Sequence, residues 1–149
     1  GNHTDLLYVP AGGSAVPTSA ETVENKLNSL KMNGREIFKL AVNAMVRASE
    51  GALTKAGLQH HQLRWLIPHQ ANTRIIKGVG NRLQVPEENV FMNLEKYGNT
   101  SAASIPLALD EAAKSGQVSP GDYILLVAFG GGLTWGASVI QWPDSNTDT

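Results

Sequence analysis

The chain has 149 residues, of which 42% are hydrophobic and 17% are charged, and it contains no cysteine. That composition excludes a disulfide scaffold, a cysteine zinc site and an intrinsically disordered chain. The length is typical of one domain, and no apolar run reaches the roughly 20 residues that a membrane-spanning helix needs. A membrane partner is therefore not expected.

Charge is unevenly distributed along the chain, although its net value is only −1. The stretch from Lys31 to Arg82 holds nine basic and two acidic residues, which leaves a local charge of +7. A basic patch attracts anionic partners, but a solvated helix face carries the same pattern. No nucleic-acid-binding motif accompanies these charges, so a nucleic-acid partner is not expected.

The first third of the chain predicts a short strand, a long excursion and a strong helix. Leu6 to Val9 is an apolar strand pattern, and residues 10–31 are rich in Gly, Pro, Ser, Thr and Asn, which is typical of irregular structure. A helix should begin after Asn33, because Glu36 follows it three residues on as in a capping box. Apolar residues then repeat at helical spacing until Gly57, which is placed to end the helix.

The middle of the chain predicts two further strand–helix pairs. Leu63 to Ile67 is a short apolar strand, and the spacing of apolar residues predicts a helix from about Ala71 to Leu83. Val90 to Leu94 is a weaker strand pattern. A third helix follows, with Pro106 in its first turn and Gly116 at its end.

The last third predicts two neighbouring strands. Tyr123 to Phe129 is almost continuously apolar, as in a strand that is covered on both faces, and Leu133 to Trp142 is a second strand that would pair with it as an antiparallel hairpin. The predicted order is strand, helix, strand, helix, strand, helix, strand, strand. This alternation predicts an α/β fold with a mostly parallel sheet and covering helices, in which ligands gather beyond the carboxyl ends of strands.

Three loops that follow predicted strands carry candidate functional groups, namely His69, Asn99 and the triple glycine at 130–132. Each has a structural explanation on its own: a surface or core histidine, a turn or helix cap, and a bend that lets backbones approach closely. The triple glycine also matches neither the Walker nor the dinucleotide fingerprint. The three loops gain their significance only when they are considered together.

Four blocks of sequence, in order, resemble β-ketoacyl-acyl carrier protein synthase III, the initiating condensing enzyme of type II fatty acid synthesis. They are Lys31–Lys39, Pro68-His69-Gln70-Ala71-Asn72, Tyr97–Ser104 and Phe129–Gly136. The resemblance extends from about Asp5 to Trp142, nearly the whole chain. It implies a thiolase-like fold.

Enzymes of that family have two similar halves, and this chain resembles only the second. The resemblance implies a mixed five-stranded sheet with covering helices over residues 1–143, followed by a polar tail at 144–149. The family's Cys-His-Asn triad takes its cysteine from the first half, which agrees with the absence of cysteine here. The amino-terminal half is therefore an expected partner, packed against an apolar face, and this chain alone is expected to be inactive.

The resemblance also implies roles for individual residues in a decarboxylative Claisen condensation. A cysteine thiolate takes an acyl group, most simply acetyl, from a coenzyme A thioester, and malonyl-acyl carrier protein then loses carbon dioxide. His69 and Asn99 would donate hydrogen bonds to the enolate-like thioester oxygen that develops. The backbone N–H of Gly131 would help form a second oxyanion hole, and Phe129 would line the pocket of the nucleophile.

Further residues would contact the coenzyme A arm and the carrier protein. Asn72 and Gly34 match positions beside the pantetheine tunnel. Basic residues on helices that flank the tunnel mouth would dock the acidic acyl carrier protein; these are Lys39, Arg74, Lys77 and Arg82. Neither a metal nor a cofactor is implied beyond the two thioester substrates. The complete enzyme would be a homodimer in the cytoplasm, or in the plastid of a plant or alga.

Two alternative functions stay open at this stage. A related condensing enzyme of polyketide or quinolone synthesis would use the same chemistry with another acyl donor. A non-catalytic half-domain would only bind carrier protein. The intact blocks around His69 and Asn99 favour an enzyme, because substitution there would be the simplest way to lose activity.

Overall fold

The computed structural model describes residues 3–144 and has the predicted α/β class. The described part of the chain divides into two compact units, one formed by residues 3–40 together with Gly130–Thr134, and one by Ala41–Phe129 and residues 135–144. The predicted polar tail lies outside the described residues except for Asp144. Within residues 3–144, no helix combines the length and the hydropathy required to cross a membrane.

The first unit contains a small sheet and a short helix. Strands β1 (Leu7–Tyr8) and β2 (Lys31–Met32) pair antiparallel. The excursion predicted between them is mostly irregular but includes helix α1 (Ala20–Glu24), which starts at a capping box formed by Ser19 and Thr22. The helix was not predicted because its five residues are too few to show the spacing of apolar residues that predicts a helix.

Helix α2 (Gly34–Ala56) has the predicted ends. At its start the Asn33 side chain accepts a hydrogen bond from the Glu36 N–H at 3.3 Å. At its end Gly57 has φ +69°, a left-handed conformation that glycine adopts at little cost.

The second unit is built on a three-stranded sheet in the order β3–β4–β5. Strand β3 (Leu63–Pro68) runs parallel to β4 (Tyr123–Gly130). Strand β5 (Thr134–Gln141) follows β4 after three residues, too few for a crossover, so the two form the predicted antiparallel hairpin. The sheet is therefore mixed, as predicted.

Helices α3 (Thr73–Arg82) and α5 (Ser104–Lys114) complete this unit, with the short helix α4 (Leu94–Tyr97) between them. One hydrophobic cluster packs α5 against the sheet, with two aromatic rings in edge-to-face contact. Its buried members are Trp65, Ile67, Phe91, Ala108, Ala112 and Ile124. The alanines let α5 approach the sheet closely.

The number and arrangement of strands differ from the prediction of one five-stranded sheet. The five described strands form sheets of two and three strands. Val90–Leu94 is not a strand and contributes a single bridge, from Val90 to Leu66. The ladder stops because the Asn93 N–H donates to the buried Gln70 side chain, at 3.1 Å, and α4 begins at the next residue.

Candidate functional site

His69 lies immediately beyond β3 and is anchored at two points. Its backbone N–H donates to the Val127 carbonyl of β4 at 2.8 Å. Its ring Nδ1 lies 2.5 Å from the Ser104 hydroxyl oxygen, at the first residue of α5. Burial lowers the pKa of the His69 imidazole below its ordinary value, so the ring is neutral near pH 7. Among the hydrogen bonds of residues 3–144, none engages Nε2.

Asn99 lies in the loop that connects α4 to α5. Its Oδ1 accepts a hydrogen bond from the Ser101 N–H at 3.0 Å, which closes an Asx turn. Gly98, with φ +69°, turns the chain into this loop. The side chain of Asn99 is exposed, and no hydrogen bond in the described part of the chain engages its Nδ2 amide. Because Oδ1 is held by the turn, the amide presents a donor for another group.

Ser104 connects the two candidate residues. Ser104 is the first residue of α5, directly after the loop that carries Asn99, and its hydroxyl contacts the His69 ring. The loop after β3 and the loop before α5 therefore meet at the start of α5. His69 and Asn99 thus each have one polar atom engaged within the unit, while Nε2 of His69 and Nδ2 of Asn99 have no hydrogen-bond partner among residues 3–144. The Asn99 amide is a neutral donor, and the His69 ring is a second one when Nε2 carries its proton; neutral donors of this kind are suited to stabilise a developing oxyanion.

Gln70 holds the backbone beneath the site. Its side chain is 1% exposed and its Nε2 donates to the carbonyls of Pro68 at 2.8 Å and Phe91 at 3.2 Å. Its Oε1 accepts the Asn93 N–H, and its own backbone N–H donates to the Ser104 oxygen at 3.2 Å. Both N–H groups and the oxygen of the side-chain amide therefore have hydrogen-bond partners, and these bonds fix the turn after β3.

A second network continues from this turn to the surface. The Asn93 side chain donates to Glu111 of α5 at 2.9 Å, and Glu111 pairs with Lys96 at 2.8 Å. The Lys96 ammonium holds the pKa of the Glu111 carboxyl below its usual range, so the carboxylate persists as an acceptor for Asn93. These bonds tie α5 to the segment that carries Asn93.

Phe129 and Asn72 lie on elements that adjoin His69 in the same unit. Phe129 is buried near the end of β4, two residues beyond the Val127 carbonyl that holds the His69 backbone. Asn72 is exposed and caps α3, because its Oδ1 accepts the Arg74 N–H at 2.8 Å. The structure therefore gives Asn72 a capping role that the sequence analysis did not identify.

Gly131 and Gly34 belong to the first unit. A Cβ atom at Gly131 would meet nothing within 4 Å, and one at Gly34 would meet only the end of the Met32 side chain at 3.9 Å. Gly132 is the constrained position of the triple glycine, since it has φ +138° and a Cβ there would lie 2.5 Å from Thr134. Contacts within the unit thus require glycine at 132, not at 131 or 34.

The four candidate docking residues lie on exposed surface. Lys39 pairs with Glu36 at 3.2 Å and Lys77 pairs with Glu87 at 2.6 Å. Arg82 donates to Asn43, which joins the exposed faces of α3 and α2 within the second unit. Ion pairs between exposed side chains contribute little to stability, so neither lysine is held firmly by its pairing.

Ser104 and Gln70 are positioning residues that the sequence analysis did not single out. Both lie inside the recognised blocks, Gln70 next to the histidine and Ser104 at the end of the asparagine block. Their polar side chains are buried, at 1% and 2% exposure, which no local pattern reveals. Within residues 3–144, no group of three or more His, Cys, Asp or Glu residues could hold a metal ion.

Comparison with known proteins identifies the family. The sequence profile of the carboxy-terminal domain of 3-oxoacyl-[acyl-carrier-protein (ACP)] synthase III matches residues 53–142. The chain belongs to this family. A β-ketoacyl-[acyl-carrier-protein] synthase III of Clostridioides difficile is 51% identical over 142 residues, which are 95% of this chain and 43% of that protein.

Solved structures of synthase III enzymes confirm the thiolase-like fold. The 3-oxoacyl-(acyl carrier protein) synthase III of Pseudomonas aeruginosa has a TM-score of 0.84 and 39% identity, over 97% of this chain and 42% of that one. A priming β-ketosynthase from the R1128 polyketide pathway has a TM-score of 0.80 and 37% identity, over 97% of this chain and 42% of that one. The chain thus spans less than half the length of the synthase III relatives that it matches.

Proposed function

We propose that this chain is the carboxy-terminal half of a ketoacyl synthase III that condenses an acyl-coenzyme A, most simply acetyl-coenzyme A, with malonyl-acyl carrier protein. The first step uses a cysteine of the amino-terminal half. Its thiolate attacks the acyl thioester, coenzyme A leaves, and an acyl-cysteine remains. The chain itself supplies no nucleophile for that step, because it contains no cysteine.

The second step is where residues of this chain act. When malonyl-acyl carrier protein loses carbon dioxide, the electron pair of the breaking C–C bond moves into the thioester and produces an enolate oxygen. His69 and Asn99 donate to that oxygen through Nε2–H and Nδ2–H. The enolate carbon then attacks the acyl-cysteine carbonyl, the C–S bond breaks and the cysteine thiolate leaves, which gives the β-ketoacyl-acyl carrier protein.

The observation that carries this proposal is the anchoring of the two donors. Ser104 holds Nδ1 of His69, and the Ser101 N–H holds Oδ1 of Asn99, so each side chain has its second polar atom left for substrate. Preorganised donors of this kind need no reorganisation when charge develops, which is why each is worth about 10²–10³ in rate. Burial lowers the pKa of His69 and so favours the neutral ring, which donates to the enolate from Nε2 when its single proton is on that nitrogen.

The surrounding residues complete the proposed site. The Gly131 N–H donates to the acyl-cysteine carbonyl, and Phe129 lines the nucleophile's pocket. Asn72, whose Nδ2 is not used by its capping bond, and Gly34 flank the pantetheine arm. No cofactor beyond the substrates' own thioesters enters this chemistry.

A partner half is supported by the apolar surface of the first unit. Eight large hydrophobic side chains are exposed among the described residues, and six of them lie between positions 8 and 32: Tyr8, Val9, Val16, Val23, Leu30 and Met32. A contiguous apolar patch marks an interaction site, and we propose that these six side chains contribute to one. We assign it to the amino-terminal half, within a homodimeric enzyme of the cytoplasm, or of the plastid in a plant or alga.

Carrier-protein docking is assigned to Lys39, Arg74, Lys77 and Arg82, because an acidic partner is attracted to exposed basic side chains. Reversing one charge with Arg74→Glu should slow association of the carrier protein roughly tenfold and weaken its dependence on salt. Lys114→Glu makes the same charge change at an exposed residue of α5 that is not among the four and is the control. Stopped-flow association at several salt concentrations measures both. Equal rates for the two variants would refute the assignment.

A second candidate, the priming step of polyketide synthesis, is favoured by the likeness to the R1128 ketosynthase. The residues of this chain would act in the same way, and only the acyl donor would differ. Assays of the complete enzyme with donors of graded length separate the two candidates. A preference for acetyl-coenzyme A supports fatty acid initiation, whereas a preference for longer donors supports the alternative.

The function itself is tested by reconstitution. The chain alone should form no β-ketoacyl product from acyl-coenzyme A and malonyl-acyl carrier protein, while the chain joined to an amino-terminal half that carries the cysteine should form it. Product from the chain alone, or no product from a well-folded complete enzyme, would contradict the proposal.

A further inference from the structure

The tautomer of His69 decides whether the residue can perform its proposed role. A neutral imidazole carries one proton, so one ring nitrogen donates and the other accepts. His69 can donate to a substrate from Nε2 only if Nδ1 is the acceptor. The 2.5 Å contact between Nδ1 and the Ser104 oxygen must contain one proton, contributed by either the ring or the hydroxyl.

The surroundings of Ser104 decide between these two arrangements. Its oxygen already accepts the backbone N–H of Gln70 at 3.2 Å, and no other hydrogen bond of this hydroxyl occurs in the described residues. If Nδ1 carried the proton, the oxygen would accept two N–H groups and its own proton would have no acceptor. Ser104 is 2% exposed, so water does not substitute, and an unpaired buried donor is unfavourable.

We propose that Ser104 is a positioning residue whose hydroxyl donates to Nδ1 and thereby fixes the proton of His69 on Nε2. The inference rests on the proposed function for its catalytic meaning, but the tautomer itself is a property of this chain. Ser104 does not contact the substrate. It acts by presenting Nε2–H to the oxygen that becomes negatively charged.

Gln70 makes the arrangement rigid. The hydrogen bonds between its side chain and Pro68, Phe91 and Asn93 fix the turn after β3. Because the turn is fixed, the Gln70 backbone N–H stays in position to donate to the Ser104 oxygen. The direction of the Ser104 hydroxyl is thus determined by a backbone donor on one side and by the ring on the other. A serine with neither neighbour would rotate freely.

The tautomer can be measured directly by ¹⁵N NMR of the histidine-labelled chain at about pH 8, where a histidine is neutral. A His69→Gln spectrum assigns the signals. We expect Nε2 of His69 to be protonated and Nδ1 to be an unprotonated, hydrogen-bonded nitrogen. A protonated Nδ1 in the wild-type chain would overturn the inference.

Two variants test the role of Ser104. Ser104→Ala should shift the Nδ1 resonance of His69 from its wild-type position. Ser49→Ala removes a buried hydroxyl that has no hydrogen-bond partner within residues 3–144, and it should leave that resonance unchanged. In the complete enzyme, Ser104→Ala should lower kcat for carbon dioxide release about 10- to 100-fold with little change in KM, as when the partner that orients a functional histidine is removed. An unchanged Nδ1 resonance or an unchanged kcat would refute the role.

The two kinds of measurement separate this inference from the proposed function. A correct tautomer in a complete enzyme that cannot release carbon dioxide would refute the function and leave the hydrogen-bond assignment intact. An active enzyme with a protonated Nδ1 would refute the assignment and leave the function intact.

Discussion

Asn99→Asp separates the donor of Asn99 from its structural role. Aspartate keeps an oxygen where Oδ1 accepts the Ser101 N–H at 3.0 Å, so the Asx turn should persist. It replaces the Nδ2 donor with a second oxygen that carries negative charge. The substitution therefore changes only the group that faces the reaction.

The expected loss follows from removing one oxyanion donor. Such a removal costs about 10²–10³ in kcat, or roughly 2.7–4 kcal/mol of transition-state stabilisation. The added charge repels the developing enolate, so the loss should lie at or beyond the upper end of that range. Because Asn99 is exposed and its turn is retained, the free energy of unfolding should change by no more than about 0.5 kcal/mol.

The assay is carbon dioxide release from malonyl-acyl carrier protein by the complete enzyme, with urea unfolding measured in parallel. Ser101→Ala is the matched control, because it alters the neighbouring exposed side chain but keeps the backbone N–H on which the turn depends. The control should retain wild-type activity. An Asn99→Asp enzyme with activity within tenfold of wild type would refute the assignment of Nδ2 as an oxyanion donor.

Two further predictions concern the stability of the second unit. Gly80→Ala should destabilise the chain by up to about 2 kcal/mol, because a Cβ atom would lie 2.8 Å from Val90 and the cost of overpacking outweighs the better helix propensity of alanine. Adding Val90→Ala should relieve the clash. If the effects of the two substitutions on urea unfolding were strictly additive, this explanation would be contradicted. Burial holds the pKa of His69 below its unfolded value, so the unfolded chain binds the additional proton and the free energy of unfolding should fall as pH drops below about 6.5. His69→Gln should flatten that dependence, and equal slopes in the two proteins would contradict the argument.

Local signals were sufficient to predict the principal helices and strands. The Asn33 cap and Gly57 gave both ends of α2, and the apolar run from Tyr123 gave β4, because these signals lie within the elements that they determine. The segment Val90–Leu94 was predicted wrongly as a strand. Its pairing is decided by Gln70, more than twenty residues away, which takes the Asn93 N–H that a strand ladder would use.

In the candidate site, too, local sequence signals identified some residues, while contacts between distant parts of the chain determined the others. His69 and Asn99 were identified through the blocks that contain them, while their supporting residues were not. Ser104 and Gln70 act through contacts that span 34 residues of sequence, and serine and glutamine are common on surfaces. Only the fold shows that both side chains are buried and fully engaged.

The central claim is that His69 and Asn99 stabilise the enolate formed on decarboxylation and not the transfer of the acyl group to cysteine. It is tested most directly by measuring both half-reactions in the complete enzyme with His69→Ala. Mass spectrometry follows acyl-cysteine formation from acetyl-coenzyme A, and carbon dioxide release follows decarboxylation of malonyl-acyl carrier protein. Acylation within tenfold of wild type, with decarboxylation reduced about 10²–10³-fold, is the predicted result. Equal losses in both half-reactions, or decarboxylation at the wild-type rate, would contradict the account.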